Sequence, residues 1–164
     1  MTRRSRHFLI DCKGAAAAEM ALVLPLMLAV IFVTFEAGHY FYTEHKIVKS
    51  VRHGARYAGR LPFDTYSCPS TVDATAAAQI RTVTRTGSLG GTNPLISGWE
   101  DGDITITVAC DIGTTTGVFE SNTGGAPIVT VSATADYPSL FGELFEDGQT
   151  PVVRASAEAA VNGI

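Results

Sequence analysis

Residues 15–35, AAAAEMALVLPLMLAVIFVTF, form a run of 21 residues with a single charge, Glu19. Coiled into an α-helix such a run is about 32 Å long, the thickness of the hydrocarbon core of a bilayer. In lipid every backbone polar group needs an internal partner, and a helix provides them all. A secretory signal is the competing reading of an apolar stretch near a basic N-terminus. Its core is shorter and ends in a small-x-small cleavage site. Here the run passes instead into Glu36-Ala37-Gly38-His39 and then Tyr40-Phe41-Tyr42. Together with Phe35 those rings suit the aromatic belt of a membrane interface. The expectation is a transmembrane helix over residues 15–38.

Charge divides the chain at the same place. Arg3, Arg4, Arg6 and Lys13 outweigh Asp11, so residues 1–14 carry +3 and the rest −7, against −4 for the whole chain. Residues 1–14 read as a basic cytoplasmic leader, and residues 39–164 as an extracytoplasmic α+β domain. Lys46 and further basic residues follow the run by about ten residues, so the positive-inside rule is met only in part. The leader and the position of Glu19 set the N-terminus inside. An acidic body excludes nucleic acid as the natural partner. A composition of 46% apolar and 17% charged residues excludes a disordered tail.

Beyond the run, Tyr40, Ile47, Val51, Ala55 and Ala58 fall on one face at helical spacing. Lys46, Lys49, Arg52, Arg56 and Arg60 fall opposite. One helix from about Ala15 to about Gly59 is expected, ended by Pro62. A second helix is expected at about 71–86. Ser70 and Asp73 resemble a capping box behind Pro69, and Val72, Ala76, Ile80 and Val83 share a face. Alternating apolar residues predict strands at about 104–110, 127–137 and 150–161. Pro138 to Leu144 fits one helical turn. The fold class is therefore α+β: a long N-terminal helix whose amphipathic second half packs on a small, mostly antiparallel three-stranded sheet, with a second helix.

The residues that bear on function are Gly14-Ala15-Ala16-Ala17-Ala18-Glu19-Met20. A charge within an apolar span is costly unless paired, which marks Glu19 as functional. Cleavage after Gly14 makes Ala15 the new N-terminus. Its amine then lies one helical turn from the Glu19 carboxylate, or beside that of a neighbouring chain. The stretch GAAAAEMALVLPLMLAVIFVTFEAG, with HGARYAG later, resembles the TadE-like pseudopilins of the tight-adherence branch of type IV pili. The resemblance is closest over about residues 13–60. The C-terminal segment VTVSATADYPSLFGELF…VVRASAEAAV is similar in pattern only. The resemblance implies a prepilin peptidase that cuts between Gly14 and Ala15, and a Glu19 that guides assembly. Met20 departs from the aromatic residue common after that glutamate. Pro25 removes one backbone donor and displaces the carbonyl of Ala21. It is either a tolerated membrane proline or a kink that aids packing.

Other candidates carry less. Cys68 and Cys110 lie outside the span, where an oxidising compartment allows a disulfide; two buried free thiols are the alternative. Cys12 lies in the leader. Glu36-x-x-His39 is half of a di-iron motif whose other half a small single-anchor domain does not supply. Glu100, Asp101, Asp103 and Asp111 lack the ordered spacing of a calcium loop and read as turn residues. His45 and His53 read as solvated helix residues. The basic row Lys46–Arg60 is either a solvated face or a surface for phospholipid headgroups or acidic partners. No phosphate loop, nucleophile elbow or paired-cysteine signature is present, so neither an enzyme nor a cofactor is expected.

By resemblance, the expected function is that of a minor pilin or pseudopilin assisting tight-adherence pilus assembly, for attachment or secretion. Its partners would be the inner membrane, the prepilin peptidase, other pilins and the assembly platform. It would reside in the inner membrane with its C-terminal domain periplasmic, or in the extracellular pilus. The alternative is an unprocessed single-pass envelope protein with a periplasmic binding or sensing domain.

Overall fold

The computed structural model describes residues 13–68, 70–120, 122, 124–142 and 151–163. Helix α1 spans Lys13–Ala58 and contains Pro25. A strand pair follows, β1 (Tyr66–Ser67) and β2 (Thr71–Val72), then helix α2 (Ala74–Thr86) and strands β3 (Ile104–Asp111), β4 (Ala126–Asp136) and β5 (Val152–Ala160). The chain divides into two units, Met1–His39 and Tyr40–Ile164, to both of which α1 contributes.

In the second unit β3, β4 and β5 form one antiparallel sheet in that order. The register sets Ile106 opposite Val131, and Val131 opposite Ala157. On central β4, Val129, Val131, Ala133 and Ala135 are buried, followed by Tyr137. Residues two apart share a face of a strand, so this alternation gives the sheet one apolar side. The buried cluster joins that side to Ile47, Val51, Ala55 and Ala58 of α1 and to Ile80 of α2. Those four α1 residues are at most 2% exposed. Partly buried Ala155, Ala157 and Ala159 of β5 pack on the same cluster.

The C-terminal end of α1 is fastened from two directions. Tyr66 donates its hydroxyl to the Ala58 carbonyl at 2.6 Å. The Asn162 amide donates to the Gly59 carbonyl at 2.8 Å. These bonds satisfy carbonyls that a helix end leaves without an intrahelical partner. Trp99 does the same for the sheet. Its indole donates to the Thr134 carbonyl at 2.8 Å, one residue beyond the Ile104–Ala133 pair with which the β3–β4 ladder begins.

The second helix starts later than its expected position. Asp73 itself caps it, accepting from the Thr75 and Ala76 amides at 2.9 and 3.1 Å. Thr71 and Val72 are β-branched and pair instead with Ser67 and Tyr66. The expected Ser70–Asp73 box is therefore replaced by a single aspartate cap. Gly87, at φ 82°, closes the helix in the left-handed conformation. Pro69, position 150 and the C-terminal part of the turn expected at Pro138–Leu144 lie outside the described residues.

Where α1 passes α2, Gly54 faces Thr84. A methyl group at position 54 would overlap the Thr84 hydroxyl. Thr84 is fully buried and donates to the Ile80 carbonyl at 2.7 Å, so it has little room to move. Gly54→Ala should destabilise by about 1–3 kcal/mol, although alanine favours helix by about 1 kcal/mol. Adding Thr84→Ala should recover most of that loss. Denaturation of the four species in detergent tests this, and a more stable Gly54→Ala protein would refute it.

Burial, with the Tyr57 hydroxyl adding to it, pushes the Tyr66 phenol up to about 12. Ordinary tyrosine titrates near 10, so the unfolded chain releases this proton first. The stability Tyr66 contributes is complete below pH 10 and is lost as pH rises from about 10 to 12. Unfolding curves of wild type and Tyr66→Phe should therefore converge over that interval. A constant difference between them would show that the phenol is not shifted.

Candidate functional site

The first unit is an apolar helical segment without a protein covering. Every residue from Gly14 to Phe35 is exposed, including Leu22 at 80% and Leu26 at 67%. By length and composition α1 meets the requirements for crossing a membrane. Thr34 is the hydroxyl residue near the end of the apolar run. It donates to the Val30 carbonyl at 2.7 Å, leaving no free donor. A threonine in a helix commonly satisfies itself on the preceding turn in this way.

Gly14 and Ala15 lie in the first turn of α1, and Glu19 is exposed. Side chains at i and i+4 stand one above the other, so Ala15 and Glu19 share a helical stripe. Glu19 makes no hydrogen bond or ion pair with another described residue. Open space surrounds Gly14, where an added methyl would meet nothing within 4 Å. Pro25 lies within the helix, two turns beyond Glu19. The helix thus brings Gly14, Ala15 and the Glu19 carboxylate together at one end, on a surface otherwise apolar. Residues 1–12 lie outside the described part of the chain.

Residues 14–56 match the family described as TadE-like protein. The chain carries a TadE-like segment. It contains Gly14, Ala15, Glu19 and Pro25, together with the helix face Ile47–Val51–Ala55. No curated protein and no solved structure matches the chain.

Outside the TadE-like segment, Cys68 and Cys110 form a disulfide, with Cα atoms 5.9 Å apart. Cys68 lies between β1 and β2, and Cys110 lies near the end of β3 opposite Pro127. The bridge ties the small strand pair to the main sheet. Close by, Gly125 lies at φ 84° with its α-carbon against the Asp111 backbone, a position that excludes a side chain.

The acidic residues near β3 are separately engaged. Asp103 accepts from the Glu100 amide at 2.9 Å across a 3-10 turn. Asp101 accepts from Arg85 at 2.7 Å. Asp111 accepts from the Thr114 hydroxyl and the Gly113 amide, which hold its carboxyl below the usual carboxylate range. Among the described residues no group of three or more His, Cys, Asp or Glu side chains could hold a metal ion.

Sequence reasoning passed over Ser50. It sits in α1 at 3% exposure, and its hydroxyl has no hydrogen-bond partner. The helical pattern holds a faint signal, since Ser50 lies at the seam between the buried face and the basic row. Only the structure shows the pocket whose wall it forms.

A disulfide closing a loop with a sequence separation of 42 should stabilise the folded domain by about 4 kcal/mol. Replacing both cysteines by serine should lower the denaturation free energy by about 3–4 kcal/mol. Reductant should shift wild type to the same extent and leave the double variant unchanged. Equal midpoints for wild type and variant would rule out a stabilising bridge.

Proposed function

We propose that this protein is a minor pilin or pseudopilin that assists assembly of a tight-adherence (type IV) pilus, for surface attachment or secretion. The TadE-like match over residues 14–56 supports this reading, because it includes Gly14, Ala15 and Glu19. The role is assembly, and α1 performs it by packing rather than by catalysis.

On this reading residues 1–14 are a cytoplasmic leader, residues 15–38 span the inner membrane, and residues 39–164 form the periplasmic domain. A prepilin peptidase cuts between Gly14 and Ala15 at the cytoplasmic face. The apolar helix holds the subunit in the bilayer until extraction. Its exposed leucines then pack against helices of other pilins on the assembly platform, replacing lipid contacts by protein contacts. In lipid such packing gains little from apolar area alone, so polar pairing carries much of the specificity. The Ala15 amine and the Glu19 carboxylate supply that pairing, within one chain or between neighbours. Pro25 leaves one carbonyl on the preceding turn without its amide partner, and a kink there would adapt the helix to its neighbours.

Substitutions at two positions test the reading in order. Gly14→Arg should leave a full-length precursor in the membrane, whereas wild type should begin at Ala15 by mass measurement of extracted protein. Glu19→Ala should leave the protein expressed, processed and membrane-anchored, since losing a charge favours residence in lipid. It should nonetheless reduce piliation and surface attachment, with Glu19→Asp intermediate. A wild-type protein retaining residues 1–14, with normal piliation in Glu19→Ala, would favour an unprocessed envelope protein with a periplasmic sensing domain.

A further inference from the structure

We propose that the amphipathic part of α1 carries a binding pocket for a phosphate-bearing anion, independent of the assembly role of Gly14 and Glu19. The pocket has a volume of about 420 Å³ and lies wholly within the second unit, between α1 and the segment after α2. Its α1 wall is a single stripe, Tyr42, His45, Lys46, Lys49, Ser50 and His53, and Gly87 and Leu95 close the other side. Steps of three and four residues keep these side chains on one face. No carboxylate is among the lining residues.

Each part of the wall has a distinct use. Lys46 is fixed, donating to the Leu95 carbonyl at 3.2 Å with its ammonium 4.7 Å from the centre of the Tyr42 ring. It therefore holds the two sides of the pocket together and leaves a positive charge at the rim. Lys49 adds a second cation, and His45 and His53 lie one turn to either side of it. A shallower groove continues along Arg52 and Arg56, extending the same positive field. Such a field draws in anions before contact.

Ser50 makes the site more than a basic surface. A buried hydroxyl without a partner is costly, and native proteins satisfy nearly all such groups. Ser50 is 97% removed from solvent by its 3% relative exposure, has no partner, and belongs to the pocket wall between Lys49 and His53. A rotation of the Ser50 side chain about its Cα–Cβ bond would present that hydroxyl to an oxyanion in the pocket, while the lysines balance its charge. A phosphate, with several acceptor oxygens and up to two charges, matches this donor set better than a carboxylate. The phosphate can come from a soluble ester or from a phospholipid headgroup.

The test uses the full chain purified in non-ionic detergent, with thermal melting as the readout. A ligand that binds only the folded state raises the melting temperature in a saturable way. Inorganic phosphate and glycerol 3-phosphate are compared with chloride at equal ionic strength. In parallel, nanodiscs of phosphatidylcholine are compared with nanodiscs containing phosphatidylglycerol. Ser50→Ala should melt no lower than wild type without ligand, because it removes an unsatisfied group. It should weaken binding about tenfold, the loss of one hydrogen bond to a charged group. Lys49→Gln with His53→Gln should weaken binding at least as much. The control pair Arg60→Gln with Arg154→Gln, which removes two charges elsewhere, should leave it unchanged. Protection by the soluble phosphates identifies a soluble ligand, and protection only in phosphatidylglycerol discs identifies a headgroup. No protection in either arm, or an equal loss in the control pair, overturns the proposal. Failure here leaves the assembly reading intact, because neither Gly14 nor Glu19 enters the test.

Discussion

The contact between the Ile47–Val51–Ala55–Ala58 face of α1 and the inner side of the β3–β4–β5 sheet organises the second unit. A sheet with one apolar face must bury that face against another element. The face it presents is rich in alanine and valine. Gly54 lies where α2 meets α1 at Thr84. The end of the helix is fastened twice, by Tyr66 and by Asn162. Each of those bonds connects α1 to a different part of the chain, one to β1 and the other to the segment after β5. The disulfide then binds β1 and β2 to the far end of β3. Helix, strand pair and sheet are thus joined at separate places around one core.

The first unit follows a different logic. Its large apolar side chains are exposed, and no protein group in the unit covers them. An area of leucine, valine and phenylalanine of this extent is tolerable in lipid or among other apolar helices, not in water. Glu19 is the exception within it. Translocon scales put one carboxylate near the centre of a span at roughly 2.5–3.5 kcal/mol, and less near its end. A run of this length can absorb that cost and still remain in the membrane. Glu19 therefore contributes nothing to retention.

Much of this architecture was legible in the chain. Helical spacing in Tyr40–Arg60 and alternation in residues 104–110, 127–137 and 150–161 place the helix and the strands close to where they occur, because a buried face imposes its period on the sequence. The N-terminus of α2 was misplaced for a local reason. Both Ser70 and Asp73 can cap a helix, and the choice turns on Thr71 and Val72 finding extended partners in Ser67 and Tyr66, which no periodicity reveals. The Gly54–Thr84 contact was likewise hidden, since a helical glycine reads as a weakness until the second helix is seen against it. Gly14, Ala15 and Glu19 stood out because a charge in an apolar run is conspicuous in one dimension. Ser50 did not, since a serine in a polar helix face is ordinary until the pocket beside it is known.

One helix thus meets two kinds of demand, and its sequence answers them with different chemistry. Over residues 15–35 the surroundings are apolar in any assignment, lipid or helix, so side-chain size and the rare polar atom carry the information. Thr34 is satisfied on its own turn, and Glu19 is the charged side chain of the run. Over residues 40–58 one face is committed to the sheet, so selection acts on the opposite face and the seam between them. There the basic row stands in the water-accessible region, where charge is inexpensive and can be used in number. A single charge suffices where the dielectric is low, and several are needed where it is high, because the same pair of charges interacts many times more weakly in water. The placement of one carboxylate near the start of α1 and a row of cations along its second half follows that difference in medium.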